Sequence, residues 1–222
     1  MNSVNQLRFV LGTKERRERE RHETRSKILD AARKLFIEQG YEAVTMRKVA
    51  QRVEYSPTAI YVHFSDKEAL MRELCTQDFN KLAKSFQPVL QLEDPLERLE
   101  QVGVAYVNFA IQFPNHYRLM FMTPRPPEVS EVDEGKGNIQ QDAYALLRAV
   151  VQSAMEKNCF RPEWSDPDLV AQILWAGVHG VVALHLIGAK DKWVDWRPLP
   201  DTAAGMIKAL LHGLAREGNH HG

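Results

Sequence analysis

"SPTAIYVHFSDKEAL", Ser56 to Leu70, opens like a helix and opens again nine residues later. Ser56 suits an N-cap and Pro57 the first helical position, where a missing N–H forfeits no intrahelical bond. Ser65 offers a second cap, with Glu68 three residues on to close a capping box. The helix between these starts has room for at most about eight residues, short of the roughly 12–15 at which an isolated helix becomes marginally stable in water. It must be held by its neighbours. Ile60 and Phe64, one turn apart, supply the apolar anchor and leave Thr58, Ala59, Tyr61, Val62 and His63 outside.

The neighbours lie just upstream. From Thr24 to Gln39 the apolar residues Ile28, Ala31, Ala32, Leu35 and Phe36 recur at helical spacing, and Gly40 follows as a terminator. Thr45 can cap a second short helix with Met46, Val49, Ala50 and Val53 inward and Arg47, Lys48, Gln51 and Arg52 outward. Glu54 and Tyr55 then turn the chain. Three helices of decreasing length, joined by short turns, form the helix-turn-helix pattern. A short helix pinned along one edge can push its N-terminal residues into a major groove about 12 Å wide. The second start places Lys67 and the unpaired N–H groups of a helix N-terminus beside it, suited to a phosphate.

"TMRKVAQRVEYSPTAIYVHFSDKEAL", Thr45 to Leu70, resembles the DNA-binding signature of TetR-type transcriptional regulators. The similarity extends over "ILDAARKLFIEQGYEAVT" and covers about 45 residues, Thr24 to Leu70. It implies that Thr45, Ser56, Tyr61 and Lys67 bind phosphates and that Pro57, Thr58, Ala59 and His63 lie at or near base edges; the outward Arg47 joins them as a DNA-binding candidate on its charge. Glu54 departs from the family, which usually has glycine in this turn. Glycine takes positive φ without strain, whereas glutamate there costs on the order of 1 kcal/mol, and its carboxylate repels phosphate unless a cation screens it. The expectation is lower DNA affinity on an unchanged fold.

A chain of 222 residues, 44% of them hydrophobic, can bury a substantial core. Two cysteines, Cys75 and Cys159, form neither a C-x-x-C pair nor a zinc set with the eight histidines, which points to a reducing, cytoplasmic compartment. The N-terminus has no secretory pattern, and no stretch of about 18 apolar residues is read anywhere, so no membrane span is expected. The zero net charge hides an asymmetry: residues 1–72 hold 15 Lys+Arg against 10 Asp+Glu, and residues 73–222 hold 14 against 19. Only the first part is suited to a polyanion. Within it, Thr13 to Arg25 carries six basic and four acidic residues. That run reads as a solvated extension of the first helix, or else as an arm whose Arg16, Arg17, Arg19 and Arg21 reach the minor groove or the phosphates.

The remainder reads as helical, giving an all-α chain: an arm at 1–23, a helix-turn-helix domain at 24–70 and an effector-binding and dimerisation domain at 71–222. A connecting helix runs from Ser65 to the residues before Pro88. Further helices follow from Asp94 to Phe113, over "NHYRLMFM", and at about 138–158, 167–187 and 200–216, with an irregular loop over "TPRPPEVSEVDEGKG". "ILWAGVHGVVALHL", Ile173 to Leu186, is apolar on nearly every side and needs partners on more than one face. Its small residues Ala176, Gly177, Gly180 and Ala183 allow a close helix approach, within one chain or, as the resemblance implies, in a homodimer's four-helix bundle.

Trp175 and His179, one turn apart, match a Trp-x-x-x-His-Gly pattern of some effector domains of the family. With Tyr106, Phe109, Phe113, Tyr117, Met120 and Phe121 they line a cavity for an apolar small molecule or else fill the core. Nucleotide-binding, hydrolase and metalloprotease signatures are absent, so no catalysis, cofactor or metal is expected. The expected function is a homodimeric repressor bound to a palindromic double-stranded operator and released by a small-molecule effector. The alternative is a small-molecule-binding or protein-interaction helical module with weak or lost DNA binding.

Overall fold

The computed structural model describes residues 3–125, 135–188 and 193–216, with side chains from residue 14 onward. It contains two units, one of Met1–Cys75 with Phe121–Glu131, the other of Thr76–Met120 with Val132–Gly222.

In the first unit, Ile28, Leu29, Ala32, Leu35 and Phe36 form the buried side of α1 (Ser3–Gln39). Gly40, at φ +78°, ends it, its N–H bonding the Phe36 carbonyl at 3.0 Å. The helix begins well ahead of Thr24. The mixed-charge run sustains it through i,i+4 pairs, Lys14–Glu18 at 4.0 Å and Arg16–Glu20 at 3.5 Å. Thr45 Oγ1 caps α2 (Met46–Arg52) by accepting from the Lys48 N–H at 3.2 Å. Ser56 Oγ caps α3 (Pro57–Tyr61) by accepting from the Ala59 N–H at 3.2 Å, and Ile60 and Phe64 are buried. Between α2 and α3, Glu54 adopts φ +59° while the Tyr55 N–H bonds the Ala50 carbonyl at 2.9 Å. The turn keeps the left-handed geometry that favours glycine, with a glutamate in it.

The start of α4 (Lys67–Phe86) corrects the capping box expected at Ser65. Asp66 Oδ1 accepts from the Ala69 N–H at 2.6 Å, Ser65 Oγ donates to Asp66 Oδ2 at 2.8 Å, and Glu68 instead accepts from the Tyr41 hydroxyl at 2.9 Å. A carboxylate is the stronger acceptor at a helix N-terminus, where charge and dipole reinforce each other. The Ala69 N–H, with the Ser65 hydroxyl, holds the Asp66 carboxyl below its ordinary pKa.

In the second unit the last turns of α4 lead into a 3-10 turn, Gln87–Gln91, that accommodates Pro88. Asp94 caps α5 (Pro95–Gln112), its Oδ1 accepting from the Leu96 N–H at 3.0 Å; α6 (Pro114–Phe121) follows. The helix expected from about residue 138 begins at Ala143, because Asp142 Oδ1 takes the N–H groups of Tyr144 and Ala145 at 2.9 and 3.1 Å. It is α7 (Ala143–Glu156), after which come α8 (Pro167–Gly188) and α9 (Leu199–Leu214). α5 packs against α7, α8 and α9, and α8 against α7 and α9. Most of the irregular loop expected after Met122 lies outside the described residues. The all-α expectation holds, and among the described residues extended pairing is confined to one isolated bridge, Phe160 with Ala215.

α8 amends two expectations. Over an 18-residue window this 22-residue helix reaches a mean hydropathy of 1.7, enough by length and composition to cross a membrane, although Gln172, His179 and His185 break the apolar run. Val170, Ala171, Leu174, Val178, Val181 and Val182 are buried in the unit. The small-residue strip is divided: a Cβ at Gly177 would strike Leu210 of α9, whereas one at Gly180 would meet nothing. Gly177 thus serves packing within the chain.

Replacing Asp66 by alanine is expected to cost about 1 kcal/mol in urea unfolding, and Ser65→Ala distinctly less. The reverse order would restore Ser65 as the cap.

Candidate DNA interface and effector site

The interface residues inferred from sequence occupy one continuous piece of the first unit. Thr45, Arg47, Ser56, Pro57, Thr58 and Tyr61 are exposed, and Ala59 is half-buried. Tyr61 and Val62 are the most open of the local apolar side chains, at 53% and 67%. Thr45 and Ser56 use their hydroxyls as caps, so their exposed positions coincide with the free N–H groups of two helix starts. On α2, Lys48 Nζ donates to Gln39 Oε1 at 2.8 Å and to the Ala43 carbonyl at 2.7 Å, and Arg52 pairs with Glu38 at 2.9 Å. Arg47 makes no ion pair among the described residues. With Lys48, whose acceptors are both neutral, it is left to act on this face or to screen Glu54.

Two of the inferred contacts are less open than the sequence suggests. Lys67 is half-buried, its Nζ donating to the Tyr41 carbonyl at 3.1 Å and standing 4.0 Å above the Tyr41 ring. An ammonium has three donors, so this anchoring orients the group and leaves donors for an anion. His63 is also half-buried. Its Nδ1 is enclosed without a hydrogen-bond partner, and its carbonyl accepts from Arg25 Nη1 at 2.6 Å. Burial, and then Arg21 and Arg25, push its pKa down. Arg25 also stands 4.1 Å over the Phe64 ring and pairs with Glu73 at 3.3 Å. Sequence reasoning passed over this clamp; its signal was a cation one turn ahead of Ile28, in line with the core.

In the second unit, four polar groups converge inside an apolar setting. Tyr106 and Tyr117 place their hydroxyls 2.8 and 2.7 Å from His179 Nδ1, the two hydroxyls are 3.3 Å apart, and Trp175 Nε1 donates to the Tyr106 oxygen at 3.3 Å. The Tyr117 and His179 rings stack at 5.6 Å. Tyr106, Phe109, Tyr117 and Met120 are buried, His179 is half-buried and Trp175 is 36% exposed. The half-buried Phe113 lies against Phe109 with Lys81 Nζ 3.4 Å over its ring. Phe121 falls in the first unit. The sequence did not single out Tyr144, whose ring lies 6.1 Å from Trp175 and whose hydroxyl donates to Asp168 at 3.1 Å. Burial lowers the His179 pKa and pushes Tyr106 up to about 12, with Tyr117 higher still, so all three are neutral near pH 7.

Residues 28–74 match the model of bacterial regulatory proteins of the tetR family, and residues 99–196 match that of the tetracyclin repressor-like C-terminal domain. The chain belongs to the TetR family of transcriptional regulators. It is 30% identical over 89 residues to the HTH-type transcriptional regulator UidR of Escherichia coli K12, 40% of each chain. It is 43% identical over 60 residues to the HTH-type transcriptional repressor AcnR of Corynebacterium diphtheriae, 27% of this chain and 32% of that one. The match thus spans about two fifths or less of these curated relatives. Among solved structures, the fatty acid degradation regulator FadR of Bacillus halodurans superposes with a TM-score of 0.69 at 22% identity, over 86% of this chain and 97% of that one. The TetR-family regulator PfmR of Thermus thermophilus gives 0.66 at 23%, over 85% and 99%. At such identities the superpositions establish the TetR fold.

The two neutral histidines carry a pH signature. A histidine whose folded pKa lies below its ordinary 6.5 contributes stability that is present above that value and lost as the pH falls through it. Tm is therefore expected to drop between about pH 7.5 and 5.5, and His179→Gln should shrink the drop. An unchanged drop in His179→Gln, measured by calorimetry, would mean that His179 is not held neutral.

Proposed function

We propose that the chain is a sequence-specific repressor that binds a palindromic operator as a homodimer and is released by an apolar small molecule held in its second unit. One observation carries the reading. A five-residue helix, capped by Ser56 and anchored by Ile60, turns Pro57, Thr58 and Tyr61 outward beside the exposed Thr45 and Arg47. In this proposal Thr45, Ser56, Tyr61 and Lys67 hold phosphates, and Pro57, Thr58 and Ala59 meet base edges, with His63 behind them. Dimerisation through α8 and α9 is supported by what they leave open: Leu184 and Ile187 are 60% and 69% exposed, and Gly180 leaves room for a second backbone. The effector would lie beside Trp175 and His179, the tyrosine hydroxyls orienting its polar group. Release requires that it bind the DNA-free arrangement more tightly.

Selection from a randomised duplex library tests the reading. The expected product is an inverted repeat whose half-sites lie about 34–36 Å apart, one helical turn. On that operator Lys67→Ala should weaken binding to all sequences and lower the salt slope by about 0.9 per contact, while Thr58→Ala should change the preferred base. An unchanged slope for Lys67→Ala would remove Lys67 from the phosphate set.

The second reading, a helical module with weakened DNA binding, draws on Glu54, a strained and exposed acid in the middle of this face. Glu54→Gly should bind DNA more tightly on an intact fold. Weaker binding would make the glutamate a productive contact. For the effector, Trp175→Ala should abolish operator release by a panel of aromatic and amphipathic compounds while leaving the dimer intact by light scattering. A monomeric variant would make Trp175 an interface residue instead.

A further inference from the structure

The extension of α1 has two unlike sides. At 3.6 residues per turn, Lys14, Arg17, Arg21 and Arg25 fall within roughly 60° of the line that Ile28, Ala32 and Phe36 continue into the core. The one acid on this side, Glu18, is occupied by Lys14 at 4.0 Å. The opposite side carries Arg16 and Arg19 among Glu15, Glu20 and Glu23, with Arg16 paired to Glu20 at 3.5 Å. Arg17 and Arg21 are exposed and make no ion pair among the described residues. The cationic side leaves the core where Arg25 grips the His63 carbonyl and covers the Phe64 ring, the corner that carries Tyr61 and Val62. The enclosed, unpartnered His63 Nδ1 lies at this same corner.

We infer that the N-terminal extension of α1 is a second DNA-binding surface, whose Arg17 and Arg21 hold duplex phosphates outside the stretch met by α3. The inference rests on the DNA-binding reading above. Helical geometry decides the mode of contact. A helix with side chains is about 10–12 Å across and cannot enter a minor groove about 6 Å wide, so these arginines do not read the groove floor. Arg17 and Arg21 stand about 6 Å apart along the axis and meet the phosphate backbone. Such a contact adds affinity and salt dependence without sequence preference.

The test compares two full-length double variants with equal charge loss, Arg17→Gln/Arg21→Gln on the cationic side and Arg16→Gln/Arg19→Gln on the other. Each is titrated with the selected operator and with a mixed-sequence duplex, and helicity is checked by circular dichroism. For Arg17→Gln/Arg21→Gln the slope of log affinity against log salt should fall in magnitude by about 1.8 per protomer on both duplexes. Between about 50 and 200 mM salt its affinity then falls roughly twelvefold less than the parent's for each protomer bound, or roughly 150-fold less for a dimer. Arg16→Gln/Arg19→Gln should leave most of the slope in place. Equal slopes for parent and Arg17→Gln/Arg21→Gln, or equal losses in both variants, would overturn the inference. Parent binding without sequence preference would instead overturn the operator reading and leave the arm's slope test readable. A parent that binds no duplex at low salt would overturn both.

Discussion

A helix of five residues cannot stand alone, and the first unit is organised around keeping α3 in place. Nucleating so short a helix costs more than its own hydrogen bonds return, so its conformation is imposed from outside. Ser56 satisfies the donor that the first turn leaves open, and Ile60 and Phe64 fasten the inner edge. Arg25 closes the far end, bonding the His63 carbonyl and covering the Phe64 ring while paired to Glu73 of α4. Each anchor lies on the buried side or at an end. The outer side, with Thr58, Tyr61 and Val62, is left open.

The second unit meets the opposite demand. α8 is so apolar that almost any rotation about its axis exposes something hydrophobic, as Leu184 and Ile187 show. Burial alone does not choose a rotation for such a helix. Directional bonds do. His179 ties α8 to Tyr106 of α5 and Tyr117 of α6, and Arg118 Nη2 bonds the Leu186 carbonyl in its last turn at 3.3 Å. Polar contacts of this kind add little net stability, but an unmade one inside an apolar environment is costly, so they select one packing over its neighbours. His179, Tyr106 and Tyr117 are also the groups proposed to meet the effector, and a ligand that engaged them would compete with the bonds that set the rotation of α8.

Much of this was legible because it is local. Caps at Thr45, Ser56 and Asp94, the glycine stop at Gly40 and the 3.6-residue apolar spacing each depend on a few consecutive residues. What escaped depends on partners distant in sequence. Ser65 and Asp66 are both fair caps on paper, and the choice fell to the carboxylate once Tyr41, 27 residues away, had drawn Glu68 to itself. Lys67 and His63 read as free because nothing nearby in sequence engages them, yet Tyr41 and Arg25 do. The buried Asp78, 1% exposed and 2.8 Å from His116 Nδ1, left no pattern at all, since a lone acid on an amphipathic helix reads as surface.

Glu54 shows the limit of reading a turn from its residue type. The turn geometry between α2 and α3 is fixed by the hydrogen bonds around it, the Tyr55 N–H to Ala50 and the Glu54 N–H to Gln51, together with burial of Val49, Ala50 and Ile60 on either side. That packing outweighs the roughly 1 kcal/mol a side chain costs in the left-handed region, so the turn holds φ +59° with glutamate in it. The backbone therefore tolerates glutamate. The electrostatic consequence has no such compensation, because Arg52, the nearest cation in sequence, is already committed to Glu38 at 2.9 Å, which leaves Arg47 and Lys48 as the cations of α2 with no acidic partner among the described residues. A substitution that packing absorbs is thus passed undiminished to the surface, where it acts on whatever anion approaches.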